Sequence, residues 1–308
     1  MKCIHTLPAT TTEACVATIG FFDGVHRGHR CLIDQVKREA ERQGIKSLAL
    51  TFPEHPRCVM QADYQPKLLT TPDEKLELLA ATGIDYCAVL PFTRELSQYT
   101  ARHFMESVLR DQLNVKTLLI GYDHRFGKKS EETFDEYVVY GRESGVEVIQ
   151  AKELEDEAMH VSSSAIRKAL QEGYIKRATY GLGYPYTLQG VVVSGRQVGR
   201  KIGFPTANLK LADAHKLIPQ TGVYAVRVQL GDQPHDAMLN IGRRPTLNNG
   251  NDCTIEAHLL HFNGNLYGET IRITFIDRLR NEQQFSSLEE LTEQLHRDAK
   301  QTEILLHS

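Results

Sequence analysis

The sequence predicts an α/β protein of two domains: a doubly wound parallel sheet over residues 1–183, then a small antiparallel β-barrel with a C-terminal helix over residues 184–308. Three observations predict it. The first half alternates short, apolar, β-branched runs with segments of helical spacing, and the economical solution to that alternation is a parallel sheet with helices on both faces. Around Gly181-Leu182-Gly183-Tyr184-Pro185-Tyr186 glycine and proline cluster and the helical spacing stops. Beyond that point, alternating β segments joined by glycine-rich turns fill only about 120 residues, which suits a closed barrel better than a second wound sheet.

In chain order, Ala14 to Ile19 reads as a strand, and Cys31, Leu32, Ile33, Val36 and Ala40 give the segment after it a helical face. Between them lies Gly20-Phe21-Phe22-Asp23-Gly24-Val25-His26-Arg27-Gly28-His29. A glycine-rich turn from strand to helix in a Rossmann-like sheet is where nucleotide phosphates settle, because the helix N-terminus offers free N–H groups and partial positive charge. Gly24 and Gly28 let a ligand approach the backbone. His26 and His29, three residues apart, put two imidazoles on one helix face, where they can donate to charge developing on a bridging phosphate oxygen. The plain alternative is two surface histidines or a metal pair.

Lys46 to Thr51 forms a second strand that ends in Phe52-Pro53-Glu54-His55-Pro56, so His55 falls at the ligand edge of the sheet. Thr71-Pro72-Asp73-Glu74 starts a helix with a capping box, and Leu76, Leu79 and Ala80 follow at core spacing. Tyr86 to Leu90 is a strand, Ala101 to Leu113 a helix, and Lys116 to Ile120 a further strand. The loop after it, Gly121 to Ser130, imitates a P-loop but has five residues between its glycines and Lys129 where Ser or Thr should meet magnesium. It is a ligand loop by position only. Val161-Ser162-Ser163-Ser164-Ala165-Ile166-Arg167 opens a helix with inner face Ile166, Ala169 and Leu170; its hydroxyls are either redundant caps or, with Arg167 one turn in, a phosphate clamp.

The barrel strands are expected at Thr187 to Ser194, Gly222 to Leu230, Ala237 to Gly242, Cys253 to Phe262 and Glu269 to Ile276. A final helix begins at a Ser287/Glu290 capping box and packs the stripe Leu288, Leu291, Leu295 and Ala299 on the barrel. Gly195 to Asn208 holds Gly199, Lys201, Gly203, Pro205, Thr206 and Asn208; its glycines and cations suit phosphates, and an extended chain would put the Thr206 and Asn208 oxygens on one side for magnesium. Glu256 stands in an apolar alternating strand, where a carboxylate either faces solvent or does chemistry. Asp252 and His258 are the neighbours that come next as candidates for that chemistry.

Composition narrows the functions. A formal charge of -3, a pI near 6.5 and a barrel sequence without an obvious stripe of aromatics alternating with Lys and Arg do not indicate a nucleic-acid binder. No run approaches the roughly 18 apolar residues of a membrane span, so no membrane partner is expected. Six cysteines without a C-x-x-C pair suit a reducing compartment, hence the cytoplasm.

The Gly20–His29 stretch resembles the G-x-F-D-G-x-H-x-G-H signature of the flavin nucleotidyltransferases. Gly121 to Gly127 is similar to the family's G-x-[DN]-F-x-F-G segment, with His124 in place of Phe, and residues 162–167 resemble S-S-T-x-I-R, with Ser164 in place of Thr. Residues 203–208 resemble the G-x-P-T-A-N loop of riboflavin kinases, supported by Gly222-Val223-Tyr224-Ala225, by residues 240–246 and by residues 255–260. Residues 14–300 together resemble the bacterial bifunctional riboflavin kinases/FAD synthetases.

The resemblance implies an enzyme that phosphorylates riboflavin with ATP in the barrel and adenylylates FMN in the first domain, releasing pyrophosphate and giving FAD. It implies His26, His29 and Glu256 as catalytic residues, and magnesium at Thr206 and Asn208. It assigns nucleotide and phosphate to Gly20, Phe21, Asp23, Gly24, Gly28, Asp123, Ser162, Ser163, Ser164, Arg167, Gly199, Lys201, Gly203, Pro205, Thr206 and Asn208, and flavin to Phe52, His55, Pro56, Phe126 and Arg280. Small-molecule partners and a monomer or weak homo-oligomer follow. Two alternatives stay open: a kinase whose first domain is impaired at His124 and Ser164, and a nucleotide-binding regulator with an RNA-binding barrel.

Overall fold

The computed structural model describes residues 1–7, 13–61, 63–121, 125–128, 132–195, 199, 202–245 and 251–307. The chain folds as two compact units, Met1–Ser163 and Ser164–Ser308.

The first unit is a six-stranded sheet made of β1 (Lys2–Ile4), β2 (Cys15–Ile19), β3 (Lys46–Thr51), β4 (Tyr86–Val89), β5 (Val115–Ile120) and β6 (Glu147–Gln150). Its order is β1-β4-β3-β2-β5-β6, every pair parallel. The strands at the two edges, β1 and β6, are absent from the sequence expectation: one is three residues long, and the other carries only half-buried or exposed side chains, so neither shows the apolar run of a central strand. The order reverses at β2 and β5, where a crevice opens beyond the strand ends. Helix α1 (Arg27–Gln43) enters from that crevice, buries Ile33, Val36 and Ala40, and ends on Gly44 in the left-handed region.

The short α2 (Pro56–Met60) follows β3 and is capped by His55, whose Nδ1 accepts from the Arg57 N–H. The expected capping box of α3 (Pro72–Ala80) is complete: Thr71 Oγ1 accepts from Glu74 N–H, and Glu74 accepts from Thr71 N–H. Its buried face differs from the expectation. Lys75 and Leu79 point inward while Ala80 is exposed. The helix expected over residues 101–113 is α4 (Ala101–Phe104) continued by a π-helical stretch, Met105–Arg110, that buries Met105, Val108 and Leu109. Helix α5 (Phe134–Ser144) completes the unit.

The second unit begins with α6 (Ser163–Gln171), which shares Ser163 with the first and buries the expected Ile166, Ala169 and Leu170, and α7 (Ile175–Leu182). Packing therefore groups these helices with the barrel, whereas the sequence boundary at residue 183 groups them with the sheet. The barrel is closed and antiparallel, in the order β10-β11-β8-β7-β12-β9. Its strands are β7 (Thr187–Val193), β8 (Ala207–Leu211), β9 (Gly222–Leu230), β10 (Gln233–Pro245), β11 (Asn251–Leu259) and β12 (Thr270–Arg280). Strand β8 is the one that the alternation did not isolate, because a Pro-Thr-Ala-Asn run reads as a turn until it finds partners on both sides.

Helix α8 (Leu288–His307) lies on the barrel, with Leu295 and Ala299 against Phe204, Met238 and Leu260. Leu288, expected in that stripe, is 56% exposed. Asp298 and Thr302 are buried instead. The capping box is also different: Ser287 Oγ accepts from Glu290 N–H, but the Glu290 carboxylate turns to the N–H and hydroxyl of Ser286.

Two candidate active sites

In the first unit the turn between β2 and α1 is forced into shape by its sequence. Phe22 and Val25 adopt φ of 55° and 35° on either side of Gly24 at 81°, positive values that branched and aromatic residues rarely take. Gly20 makes room for it: a Cβ there would meet the folded-back Phe22 ring at 3.0 Å. Asp23, 4% exposed, holds the turn from inside, its carboxylate accepting from Leu69 N–H at 2.9 Å and Thr70 N–H at 3.1 Å, while Gly24 N–H donates to Thr70 Oγ1. The carboxylate expected at a phosphate is thus part of the scaffold beneath it.

The strained turn delivers His26 as the cap of α1. Its Nδ1 accepts from His29 N–H at 3.3 Å, which leaves the proton of the neutral ring on Nε2. The two imidazoles stack with centroids 3.6 Å apart and planes 18° from parallel. Gly28 is needed for this, since a Cβ would sit 3.2 Å from His26 Cε1. Both rings, with Gly28, Ser162 and Ser163, line a cavity of about 390 Å³ that also takes in Gly121, Lys152 and His160. Ser163 Oγ donates to the Asp23 carbonyl at 3.0 Å, fastening the serine loop to the turn. Arg27 pairs with Asp156 at 2.5 Å and Gln35 exchanges two hydrogen bonds with the Lys152 backbone, so the segment between β6 and Ser162 is tied to α1 at two points. Neither tie was legible, because each joins residues more than a hundred apart.

Around the neighbouring strand end stand aromatic groups. Phe21 meets His55 edge to face at 4.9 Å, His55 lies 5.4 Å from Tyr64, and Phe52 meets Phe92 edge to face at 5.4 Å. Pro56 is the first residue of α2. Phe126 stacks on the buried Tyr137 at 4.7 Å, and the Tyr137 hydroxyl bonds both its N–H and its carbonyl. Ser164 and Arg167 stand in the first turns of α6, in the second unit. Asp123, His124 and Lys201 lie outside the described residues.

In the barrel, register builds the second site. Thr206 and Asn208 are half-buried and alternate with the buried Ala207 and Leu209, so both face one side as expected. Asn208 lies directly opposite Glu256, and Glu256 opposite Asn240. Thr206 Oγ1 donates to Glu256 Oε2 at 3.3 Å. His258, one step along the same face, bonds the Pro205 carbonyl through Nδ1 at 2.8 Å, and burial lowers its pKa. The approach to this strand turns at Gly203, φ 82°, and packs at Gly199, where a side chain would collide with the Phe204 carbonyl. Pro205 and Thr206 also line a cavity of about 240 Å³ closed by Phe262 to Tyr267, a loop with no motif to announce it. The side chain of Asp252 is outside the described residues.

Arg280 ends β12 with its guanidinium committed. Nε and Nη2 donate to the Asp298 carboxylate at 3.0 and 2.7 Å, Nη1 donates to the Asn281 carbonyl, and the ring of Phe285 lies 5.8 Å away. The pair ties α8 to the barrel.

A family model described as FAD synthetase matches residues 9–165, and one described as riboflavin kinase matches residues 182–306. A bifunctional riboflavin kinase/FMN adenylyltransferase of Escherichia coli (strain K12) is 39% identical over 296 residues, covering 96% of this chain and 94% of its own. A protein of that description from Listeria monocytogenes is 36% identical over 300 residues, covering 96% and 95%. A crystal structure from Streptococcus pneumoniae described as a macrolide-efflux protein has a TM-score of 0.90 and 31% identity, with 98% and 99% of the two chains covered. No helix among the described residues is long and apolar enough to cross a membrane. With both family models placed in tandem, and relatives aligned from end to end, the chain belongs to the bifunctional riboflavin kinase/FMN adenylyltransferase family.

Proposed function

We propose that the two cavities work in series, the barrel converting riboflavin to FMN and the sheet unit converting FMN to FAD, with the functional boundary near residue 183. The observation that supports this reading is that each unit encloses its own constellation: stacked His26 and His29 in one, and Glu256 beside Thr206 and Asn208 in the other.

In the kinase step Glu256 takes the proton of the riboflavin 5′-hydroxyl as its oxygen bonds to the γ-phosphorus of ATP, and the bond from that phosphorus to the β-phosphate oxygen breaks. Thr206, by donating to Glu256, keeps the carboxylate facing the loop at Gly203. ATP has room for its nucleoside in the cavity under Phe262 to Tyr267. The oxygens of Thr206 and Asn208 fit magnesium, a hard cation that binds through few protein ligands plus substrate phosphates; among the described residues no group of three or more His, Cys, Asp or Glu would hold a metal alone. Held there by the Thr206 and Asn208 oxygens, magnesium would offset the charge on the transferred phosphoryl group. Arg280 holds α8 in place beside the flavin, with Phe285 against it.

In the adenylyl step a phosphate oxygen of FMN bonds to the α-phosphorus of a second ATP, and the bond to the β-phosphate oxygen breaks. His26 Nε2–H and the His29 imidazole donate to the departing pyrophosphate, and Ser162 and Ser163 grip the triphosphate with the N–H groups of the Gly20–Gly28 turn. Phe21, Phe52, His55, Pro56 and Phe126 supply the flavin side. The six cysteines are free thiols, which supports a reducing, cytoplasmic setting.

Incubating the protein with riboflavin, ATP and magnesium and separating flavins over time tests the series. FMN followed by FAD is expected. FMN that never proceeds, with no pyrophosphate released from FMN and ATP, would establish the impaired first domain instead.

A further inference from the structure

Lys75 is a lysine where α3 should carry an apolar residue. It is 3% exposed, one turn before the fully buried Leu79, and lysines are almost never buried without a partner. Its Nζ donates to the Phe52 carbonyl at 2.6 Å and sits 4.1 Å from the centroid of the Phe21 ring. These contacts join two segments that are thirty residues apart. Phe52 is the first residue beyond β3, at the head of the turn that carries His55 and Pro56, and Phe21 belongs to the strained turn that carries His26. Phe21 in turn meets His55 edge to face. A charged hydrogen bond to a buried carbonyl and a cation over an aromatic face hold both turns from one atom.

We propose that Lys75 is a positioning residue for FMN in adenylyl transfer: its ammonium fastens the Phe52 carbonyl against the Phe21 ring and so sets the spacing of the two aromatic turns that receive the flavin. The proposal rests on the reading that Phe21, Phe52 and His55 face the flavin. It also makes flavin affinity depend on pH. Burial lowers the Lys75 pKa to about 8, with Asp23 below the turn opposing that shift. The cation that does the fastening is present below that pH and lost above it. The other titratable group acting on it is the Cys87 thiol on β4, pushed up to about 12 and neutral throughout; the adjacent Glu74 is engaged in the capping box, and His55 stands against Phe21.

The test is steady-state FAD synthesis from FMN, ATP and magnesium by the full chain, with riboflavin phosphorylation by the same chain as the control for folding. Lys75→Met is expected to raise the KM for FMN about tenfold, the size of one charge-assisted hydrogen bond, with kcat, the KM for ATP and the kinase activity within about twofold. For the unaltered protein the KM for FMN is expected to rise several-fold between about pH 7 and 9, and Lys75→Arg, which keeps its charge, should flatten that rise. His55→Ala separates this proposal from the flavin reading beneath it. A tenfold KM rise in His55→Ala with none in Lys75→Met overturns the role of Lys75 and leaves the flavin reading standing; no rise in either overturns both. Parallel loss of both activities in Lys75→Met, together with a flat profile in the unaltered protein, overturns the proposal in favour of a purely structural lysine.

Discussion

The two units build their candidate sites in opposite ways. In the sheet unit the two imidazoles proposed to act on pyrophosphate are neighbours in sequence, set three residues apart at the head of α1 by a turn whose strain is local. In the barrel the corresponding groups come from strands far apart in the chain, and Glu256 reaches Asn208 only because β11 and β8 pair in one register. A slip of one residue would send Glu256 into the barrel wall and Ala257 to the site. A site written in one turn tolerates change elsewhere in its domain, whereas a site written in register depends on the closure of the whole barrel.

The largest expected effect sharpens that separation. Glu256→Gln removes the proposed base but keeps the shape, so FMN formation should fall by about 10² to 10⁴ while conversion of FMN to FAD is unchanged. Equal loss of both, by flavin chromatography, would break the assignment of one site to each unit. His29→Ala should do the converse, lowering FAD synthesis by about 10² to 10³ with riboflavin phosphorylation intact. FAD synthesis within tenfold of the unaltered rate would remove the imidazole from the reaction.

The next effect is on stability. Asp298, 2% exposed, accepts Arg280 and Gln294, so Asp298→Ala leaves a guanidinium without its partner and should destabilise the barrel by about 3 kcal/mol, read by denaturant unfolding together with loss of kinase activity. Adenylyl transfer that fell in step would show that the two units unfold as one. The smallest effect is Thr71→Ala, which removes the α3 cap at a cost of about 1 kcal/mol and should leave the kinase untouched.

Much of the sheet unit was readable because its signals are short-range. The apolar face of α1 and the capping box of α3 stand where the spacing put them, as does the apolar face of α6 at the start of the second unit. Edge strands β1 and β6 were not, because they lack the apolar run that burial on both faces imposes on central strands. Lys75 was missed for a related reason: its position in α3 is a core position, but residue type argues against burial until the Phe52 carbonyl is known to wait for it. In the barrel the motif residues 203–208 were legible as a ligand loop, but their status as the approach to β8 was not. Leu288, apolar and in phase, stays in solvent, and Asp298 goes inside because Arg280 is there to meet it.

The sequence by itself determined the alternation of central strands and helices in the first half, the change to β segments after it, the glycine-rich turn with its two imidazoles and the presence of Glu256, Thr206 and Asn208, since each depends on residues within a few positions of one another. Only the tertiary structure decided that Glu256 faces Thr206 and Asn208, that Asp23 props the turn from beneath, and that Lys75 spans Phe21 and Phe52. Those contacts close long loops, and a chain carries no local record of which distant carbonyl, ring or carboxylate will stand across from a given side chain.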